Sequence, residues 1–339
     1  MSLWLSSPAT RLLTENGRVI GAMVRRSDGE VRVIAKRGVI LAAGGFPGDE
    51  ARRNALYPHL KAGQSSHATP TPAGNTGDGI RLGENIGAEF VSAVSSPAAW
   101  MPVSVIPGRS GSASVLPHIV DRQKPGFICV TRKGVRFVNE SGSYHDFVQA
   151  LIRACEGARD SECFLIADEP TVRRFGMGYM KPFPVPKWPH LRSGYVLSAP
   201  TLGELASKTG IDAAALQQTV GEFNLNASRG QDPLFGRGSS VYDHYQGDTE
   251  HKPNPCLGTV EQGPFYALRI VPGEIATYAG LKTDAHARVM DRNGSAIPGL
   301  YAVGNDQASV LAGAYAGAGA TLGPGMTFAY IAARHLAAG

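Results

Sequence analysis

Short runs in which apolar and polar positions alternate stand near the N-terminus: Thr10-Arg-Leu-Leu-Thr14, Val19-Ile-Gly-Ala-Met-Val-Arg25 and Val31-Arg-Val-Ile-Ala35. A period of two places one face of a strand on a core and the other in water. The turn pairs Asn16-Gly17 and Asp28-Gly29 fall between the runs, so the pattern predicts a β-meander. Gly38-Val-Ile-Leu-Ala-Ala-Gly-Gly45 drops the alternation and reads as a wholly buried strand stopped by a double glycine. The period lengthens to that of a helix from Ile80 to Ala88, after Gly74-Asn-Thr-Gly-Asp-Gly79, where Thr76 and Asp78 are placed to start it. Thr201-Leu-Gly-Glu-Leu-Ala206 carries an N-cap threonine with Glu204 at the capping-box position. Asp212 to Asn226 repeats apolar side chains at Leu216, Val220 and Phe223 and predicts a further helix. Pro264-Phe-Tyr-Ala267 to Asp284 returns to strand, and Asn293-Gly294 marks a hairpin turn. A short strand, Leu300 to Val303, then runs into Gly304-Asn305, and a helix is expected from about Thr321 to His335.

Between about 97 and 260 the texture changes to proline-rich loops, as in Pro182-Phe-Pro-Val-Pro-Lys-Trp-Pro189, which suggests an inserted domain. The expected division is 1–96, 97–260 and a return at 261–339. At 339 residues the chain is long enough for two domains. Its 43% hydrophobic and 18% charged residues describe an ordinary globular protein. The formal charge of +5 is spread over scattered Lys and Arg residues with no aromatic-interleaved basic stretch, which argues against nucleic acid as partner. Cys129, Cys155, Cys163 and Cys256 form no Cys-x-x-Cys pair and have no zinc-type histidine spacing; they read as free thiols, with no metal expected. With no membrane-length apolar stretch and no signal-peptide pattern, the cytoplasm is the expected location.

Glycine, at 42 residues, is nearly twice its ordinary frequency and clusters at the ends of predicted strands. In Tyr315-Ala-Gly-Ala-Gly-Ala-Thr-Leu-Gly-Pro324 it permits a backbone that approaches a flat or anionic ligand closely, just where a new helix offers unpaired N–H groups. The buried strand ending at Ala43-Gly44-Gly45 suits either a generic β-rich domain or a dinucleotide domain whose strand end abuts a cofactor. The loop Thr76-Gly77-Asp78 would be a second loop aimed at the same ligand. A dinucleotide fold normally opens with Gly-x-Gly-x-x-Gly between strand and helix. Nothing in residues 1 to 40 fits, and Gly313, Gly317 and Gly319 have the wrong spacing to replace it.

Gly134-Val-Arg-Phe-Val-Asn-Glu-Ser141, Phe235-Gly-Arg-Gly238, Tyr242-Asp-His-Tyr-Gln-Gly-Asp248, Lys252-Pro-Asn-Pro255 and Pro264-Phe-Tyr-Ala267 complete the set of distinctive segments. Taken in order with the glycine loops and with Gly299 to His335, they resemble the 3-ketosteroid Δ1-dehydrogenase branch of the FAD-dependent fumarate reductase/succinate dehydrogenase flavoprotein superfamily. The resemblance starts near residue 9, inside the family's pattern, and the glycine-rich nucleotide segment has no counterpart. It implies an α/β (α+β) fold: the C-terminal portion of a Rossmann-like FAD-binding domain with an inserted α+β substrate-binding domain.

The resemblance also implies roles. Ala43, Gly44, Gly45, Thr76, Gly77, Asp78, Gly304, Asn305, Thr321 and Leu322 would contact FAD. Where fumarate reductases carry a proton-donating arginine after Arg-Phe-Val-Asn-Glu and three intervening residues, this chain has Tyr144, as the ketosteroid dehydrogenases do. Tyr144 would take the proton next to a ketone, Tyr315 and the Gly319 N–H would bind the keto oxygen, and hydride would pass to the flavin. A proton adjacent to a carbonyl leaves only with a base and an oxyanion pocket, so the two halves of this assignment belong together. The family's second, assisting tyrosine has no evident place here. Tyr278 is a possible site residue, whereas Arg136 with Glu140 and the pair His145-Asp146 read as structural. The expected substrate is a small hydrophobic, steroid-like ketone. The alternatives are a related enone, or a truncated or split flavoprotein completed by a separate N-terminal FAD-binding polypeptide or by a second copy.

Overall fold

A computed structural model describes residues 2–108 and 113–338. The fold is mixed α/β, and the chain divides into two compact units, 1–57 with 71–99 and 275–339, and 58–70 with 100–274.

In the first unit the expected meander forms. Ala9–Glu15, Arg18–Arg26 and Gly29–Ile34 pair antiparallel in that order, with Asn16 and Gly17 at positive φ in the first turn. A second sheet has Ala296–Ala302 at its centre. Arg288–Met290 pairs with it antiparallel and Val39–Leu41 pairs parallel, in the register Leu300↔Val39, Tyr301↔Ile40 and Ala302↔Leu41. The run from Gly38 to Gly45 is therefore neither as long nor as buried as its composition suggests. Among the described residues Val39–Leu41 is an edge strand with one neighbour, and Ile40 is 38% exposed. Asp78–Glu84 forms the expected helix, but Gly77, with φ +78°, is its N-cap and no side chain closes it. Thr76 is occupied elsewhere, its Oγ1 donating to Asp78 at 3.1 Å.

The C-terminal helix, Leu322–Ala338, packs Ala332, Phe328, Ala329 and Leu336 against Tyr301, Val303 and Ala287. Its opposite stripe, one residue per turn, is apolar and open to solvent: Leu322 67%, Met326 65% and Tyr330 65% exposed. Among the described residues no helix is long and apolar enough to cross a membrane.

In the second unit a six-stranded sheet runs Ala113–Pro117, Ala98–Pro107, Phe265–Thr277, Cys163–Ala167, Ile128–Thr131, with Leu197–Ala199 also paired to Phe265–Thr277. One face of this sheet is covered by Leu202–Thr209 and Ala213–Ala227, whose Leu205, Leu216, Val220 and Phe223 join Ile128, Val130, Phe164 and Ile166 in one core. The first starts on the expected cap, Thr201 Oγ1 accepting the Glu204 N–H at 3.2 Å, and the second on Asp212, whose Oδ1 accepts the Ala215 N–H at 2.9 Å. The four cysteines are buried and free.

Candidate functional site

The central strand of the parallel pair ends at Ala302, and the chain turns through the short 3₁₀ segment Gly304–Asp306. Asp306 is fully buried, and its carboxylate accepts the N–H of Ala43 at 2.6 Å and of Gly45 at 3.0 Å. Burial pushes its carboxyl above the ordinary value, the two N–H groups pull against that, and Asp78 adds to the rise. The same side chain leaves no room at Gly79, where a Cβ would lie 2.0 Å from Asp306 Oδ2.

One carboxylate thus ties three chain segments together, and direct contacts tighten the knot. The Gly77 N–H donates to Gly45 O at 2.9 Å, and a Cβ on Gly45, whose φ is +75°, would stand 2.2 Å from Thr277 Oγ1 and 3.0 Å from Asn305. The start of the C-terminal helix closes the arrangement: a cleft is lined by Thr277, Tyr278, Gly304, Asn305, Ala320 and Thr321. The structure therefore brings Ala43, Gly44, Gly45, Thr76, Gly77, Asp78, Gly304, Asn305 and Thr321 into one neighbourhood, with Leu322 opening the helix beside it. Gly304, Gly317, Gly319 and Gly323 have no atom within 4 Å of where a Cβ would stand, so these backbones face open space rather than a packed neighbour.

Tyr315 packs in a small cluster with Tyr278, Ala276, Ala99 and Ile275. Gly319, four residues on, holds the approach to the helix, its carbonyl accepting the Gly323 N–H at 2.8 Å. Composition and spacing did not point to Asp306 or Thr277. The available signal was an acidic residue two positions after the glycine that follows the strand.

Tyr144 belongs to the second unit. It is the first residue of the helix Tyr144–Ala154, half-buried, behind the N-cap Ser143. Burial and the neighbouring Tyr242 push its phenol above the usual value, and the Arg122 charge opposes them. His145 is buried, its Nδ1 accepting the Trp100 N–H at 3.1 Å, so it serves the packing of the helix and burial holds its imidazole below the usual value.

The turn that leads to Tyr144 is held by buried charges. Arg136 grips Glu140 at 2.6 and 2.8 Å and Asp232 at 2.8 and 2.9 Å, and Glu140 also accepts the Cys129 N–H at 3.0 Å. Burial would raise the Glu140 carboxyl, yet the Arg136 guanidinium, followed by Arg237 and the Cys129 N–H, holds it down to about 2. A carboxyl depressed in the folded state contributes stability at pH values above its unfolded pKa. That contribution disappears as pH falls from the ordinary carboxylate range toward 2. Glu140→Gln is expected to lose stability at neutral pH and to show a flatter acid limb than the parent in pH-resolved thermal melts. An unchanged limb would contradict this assignment.

A parallel strand ending on a glycine turn, facing a helix start and stitched by a buried acid to a second glycine loop, defines a flavoprotein-type cofactor cradle. The chain belongs to the FAD binding domain family, whose model matches residues 1–322. It is 44% identical over 336 residues to the 4-oxocyclohex-2-ene-1-carboxylate 5-dehydrogenase of Sinomonas cyclohexanicum, covering 99% of this chain and 56% of that protein. It is 38% identical to the 3-oxosteroid 1-dehydrogenase of Mycolicibacterium smegmatis, covering 98% and 59%. A crystal structure of 3-ketosteroid delta1-dehydrogenase from Sterolibacterium denitrificans, in complex with 1,4-androstadiene-3,17-dione, superimposes with a TM-score of 0.90 at 38% identity, over 99% of this chain and 60% of that one. The chain thus spans a little over half the length of the relatives it matches, and its fold is that of the fumarate reductase and steroid dehydrogenase flavoproteins.

Proposed function

We propose that this chain carries the flavin-ring end and the substrate-handling part of a dehydrogenase that desaturates a six-membered cyclic ketone, a 3-ketosteroid being the leading candidate. The observation that carries the reading is the open glycine cradle around Asp306. It fits the ring end of FAD because a flat ligand needs backbone without Cβ atoms and N–H groups from a helix start. Ala43, Gly44, Gly45, Thr76, Gly77, Asp78, Gly304, Asn305, Thr321 and Leu322 would hold it. FAD, when bound, supplies a hydride acceptor for the carbon β to the ketone.

The chain's own residues do the rest. Tyr315 O–H and the Gly319 N–H receive the keto oxygen and stabilise the enolate charge as it develops. Tyr144 takes the proton from the adjacent carbon. In this reading residues 1–96 and 261–339 serve the cofactor, and 97–260 shape the substrate side. The free buried thiols support the cytoplasm as location. The relatives' names support a cyclic ketone in two forms, a steroid ring and a carboxylated cyclohexenone.

A second reading is favoured by a specific feature of the first unit. The edge strand Val39–Leu41 and the apolar stripe Leu322, Met326 and Tyr330 present pairing groups and hydrophobic surface together. A separate N-terminal FAD-binding polypeptide, or a second copy, would cover them, and this chain alone would be inert. The purified protein decides between the two. Bound yellow FAD released in stoichiometric amount, with dye reduction by a 3-ketosteroid or by 4-oxocyclohexanecarboxylate, supports the enzyme, and the preferred ketone fixes the substrate form. A colourless protein whose melting temperature ignores added FAD supports the second reading. Reduction of fumarate in preference to either ketone reaction would overturn both ketone assignments.

A further inference from the structure

Arg122 is fully buried, yet it lacks the partner a buried guanidinium ordinarily has. Among the described residues no carboxylate lies within ion-pair distance of it. Its donors go to carbonyl oxygens instead: Nη1 to Glu140, Nη2 to Gly142 at 2.8 Å and Nε to His118 at 3.4 Å. The nearby acids are already engaged. Glu140 is held by Arg136 and, at 3.3 Å, by Arg237. Asp121 accepts the Arg122 backbone N–H at 2.9 Å through one oxygen, and His118 at 2.7 Å and the Gly178 N–H at 3.2 Å through the other.

The two carbonyls gripped by Arg122 lie in Asn139-Glu-Ser-Gly-Ser143, the turn that delivers Tyr144. The guanidinium also sits 5.0 Å over the ring of Phe147, in the first turn of the helix that Tyr144 begins. Two independent contacts thus place a fixed positive charge under the start of this helix. The helix start adds its own partial positive charge.

We infer that Arg122 is a positioning and charge-compensating residue for Tyr144, its guanidinium fixing the turn that carries the phenol and supplying the positive charge against which the phenolate forms. The inference rests on the reading of Tyr144 as the base. Asp121 already shares the field of the Arg122 charge, and a Tyr144 phenolate would be a further anion within it, so the proton taken by Tyr144 changes the buried field less than it would without Arg122. The charged and titratable groups facing Arg122 are Asp121, Cys129, Tyr242 and Arg237, with His118 and Glu140 offering carbonyls. Among the groups acting on the Tyr144 phenol are Tyr242, which raises it, and Arg122, which opposes the rise, with His145 and Asp146 beside it on the same helix. Of these, Arg122 is the group whose charge favours ionisation of the phenol.

The test reads the phenol directly and needs neither flavin nor turnover. The protein is labelled with ζ-¹³C tyrosine, and the Tyr144 signal is assigned by its loss in Tyr144→Phe and followed from pH 8 to 12. In Arg122→Gln, which keeps an amide donor for the carbonyls but removes the charge, the ionisation constant of Tyr144 should fall about tenfold or more. In Arg122→Lys, which keeps the charge, it should stay within about threefold of the parent. Equal titration of Arg122→Gln and the parent overturns the inference. So does an Arg122→Lys variant that titrates as Arg122→Gln does. If Arg122→Gln does not fold, Arg122→Lys decides alone: a fall within threefold supports the pairing, and a tenfold fall overturns it. Failure here with an inactive Tyr144→Phe enzyme would leave the base assignment standing. The reverse result would leave the charge coupling standing without a catalytic purpose.

Discussion

Tyr144→Phe is expected to lower kcat/KM for ketone desaturation about a thousandfold, the scale set by removing a positioned base. Flavin content should not change, because the cradle lies in the other chain segments. The fold should be preserved as well. Ser143 still caps the helix, Phe147 and Val148 remain in the core, and His145 still receives the Trp100 N–H. The pH profile supplies the sharper signature. If Tyr144 is the base its active form is the phenolate, and burial with Tyr242 pushes this phenol above its usual value. The rate should therefore climb with pH and keep climbing past about 10, the ordinary tyrosine range.

The linked effect on stability has a definite sign. A phenol raised in the folded state contributes stability that is present below its unfolded pKa and is lost as pH rises through the folded pKa. Parent and Tyr144→Phe should therefore diverge in alkaline melts, with the parent losing more. Retention of more than a tenth of the parent activity in Tyr144→Phe would remove Tyr144 as base.

The second large effect is expected at Asp306, which does no chemistry. Asp306→Ala deprives the buried N–H of Gly45 and the part-buried N–H of Ala43 of their common acceptor. Leaving two such donors unsatisfied costs about 4 kcal/mol. For a chain of 339 residues that corresponds to a fall of about 6 °C in melting temperature. Flavin affinity should fall with it, because the strand end, the Gly77 loop and the turn at Gly304 lose their common anchor. Asp306→Asn keeps one acceptor oxygen and should recover part of the loss. An Asp306→Ala protein that melts with the parent and retains FAD would show that the three segments are held by packing alone.

Most of the chemistry that is legible in the sequence has its partners close along the chain. Thr201 caps its helix from three residues away, and the turn glycines of the meander act within the turn itself. The glycine loops were legible for the same reason, as was the helix after Thr321. Burial was not, since it depends on distant neighbours: the apolar run ending at Leu41 looks internal until its single strand partner is known. The Thr76 side chain was expected at a helix start, but the competing bond to Asp78 took it. Asp306 and Arg122 were invisible for a further reason. Each is an ordinary charged residue in composition, and its meaning comes from backbone groups that only the fold brings near.

The bonds from Asp306 reach back 263 positions to Ala43 and 261 to Gly45, and the strand pairing Leu300↔Val39 closes a loop of the same order. Such closures are entropically slow and cannot begin until both ends exist. During translation the early strands must therefore wait, exposed, while the ribosome makes nearly everything else. A premature stop shortly before Gly304 would release a polypeptide able to build the six-stranded sheet but left with a parallel strand pair that has no buried acid to lock it. Chaperone dependence should concentrate on this interval of synthesis, and pulse-labelled nascent chains should gain protease resistance in the cradle only after Asp306 has been made.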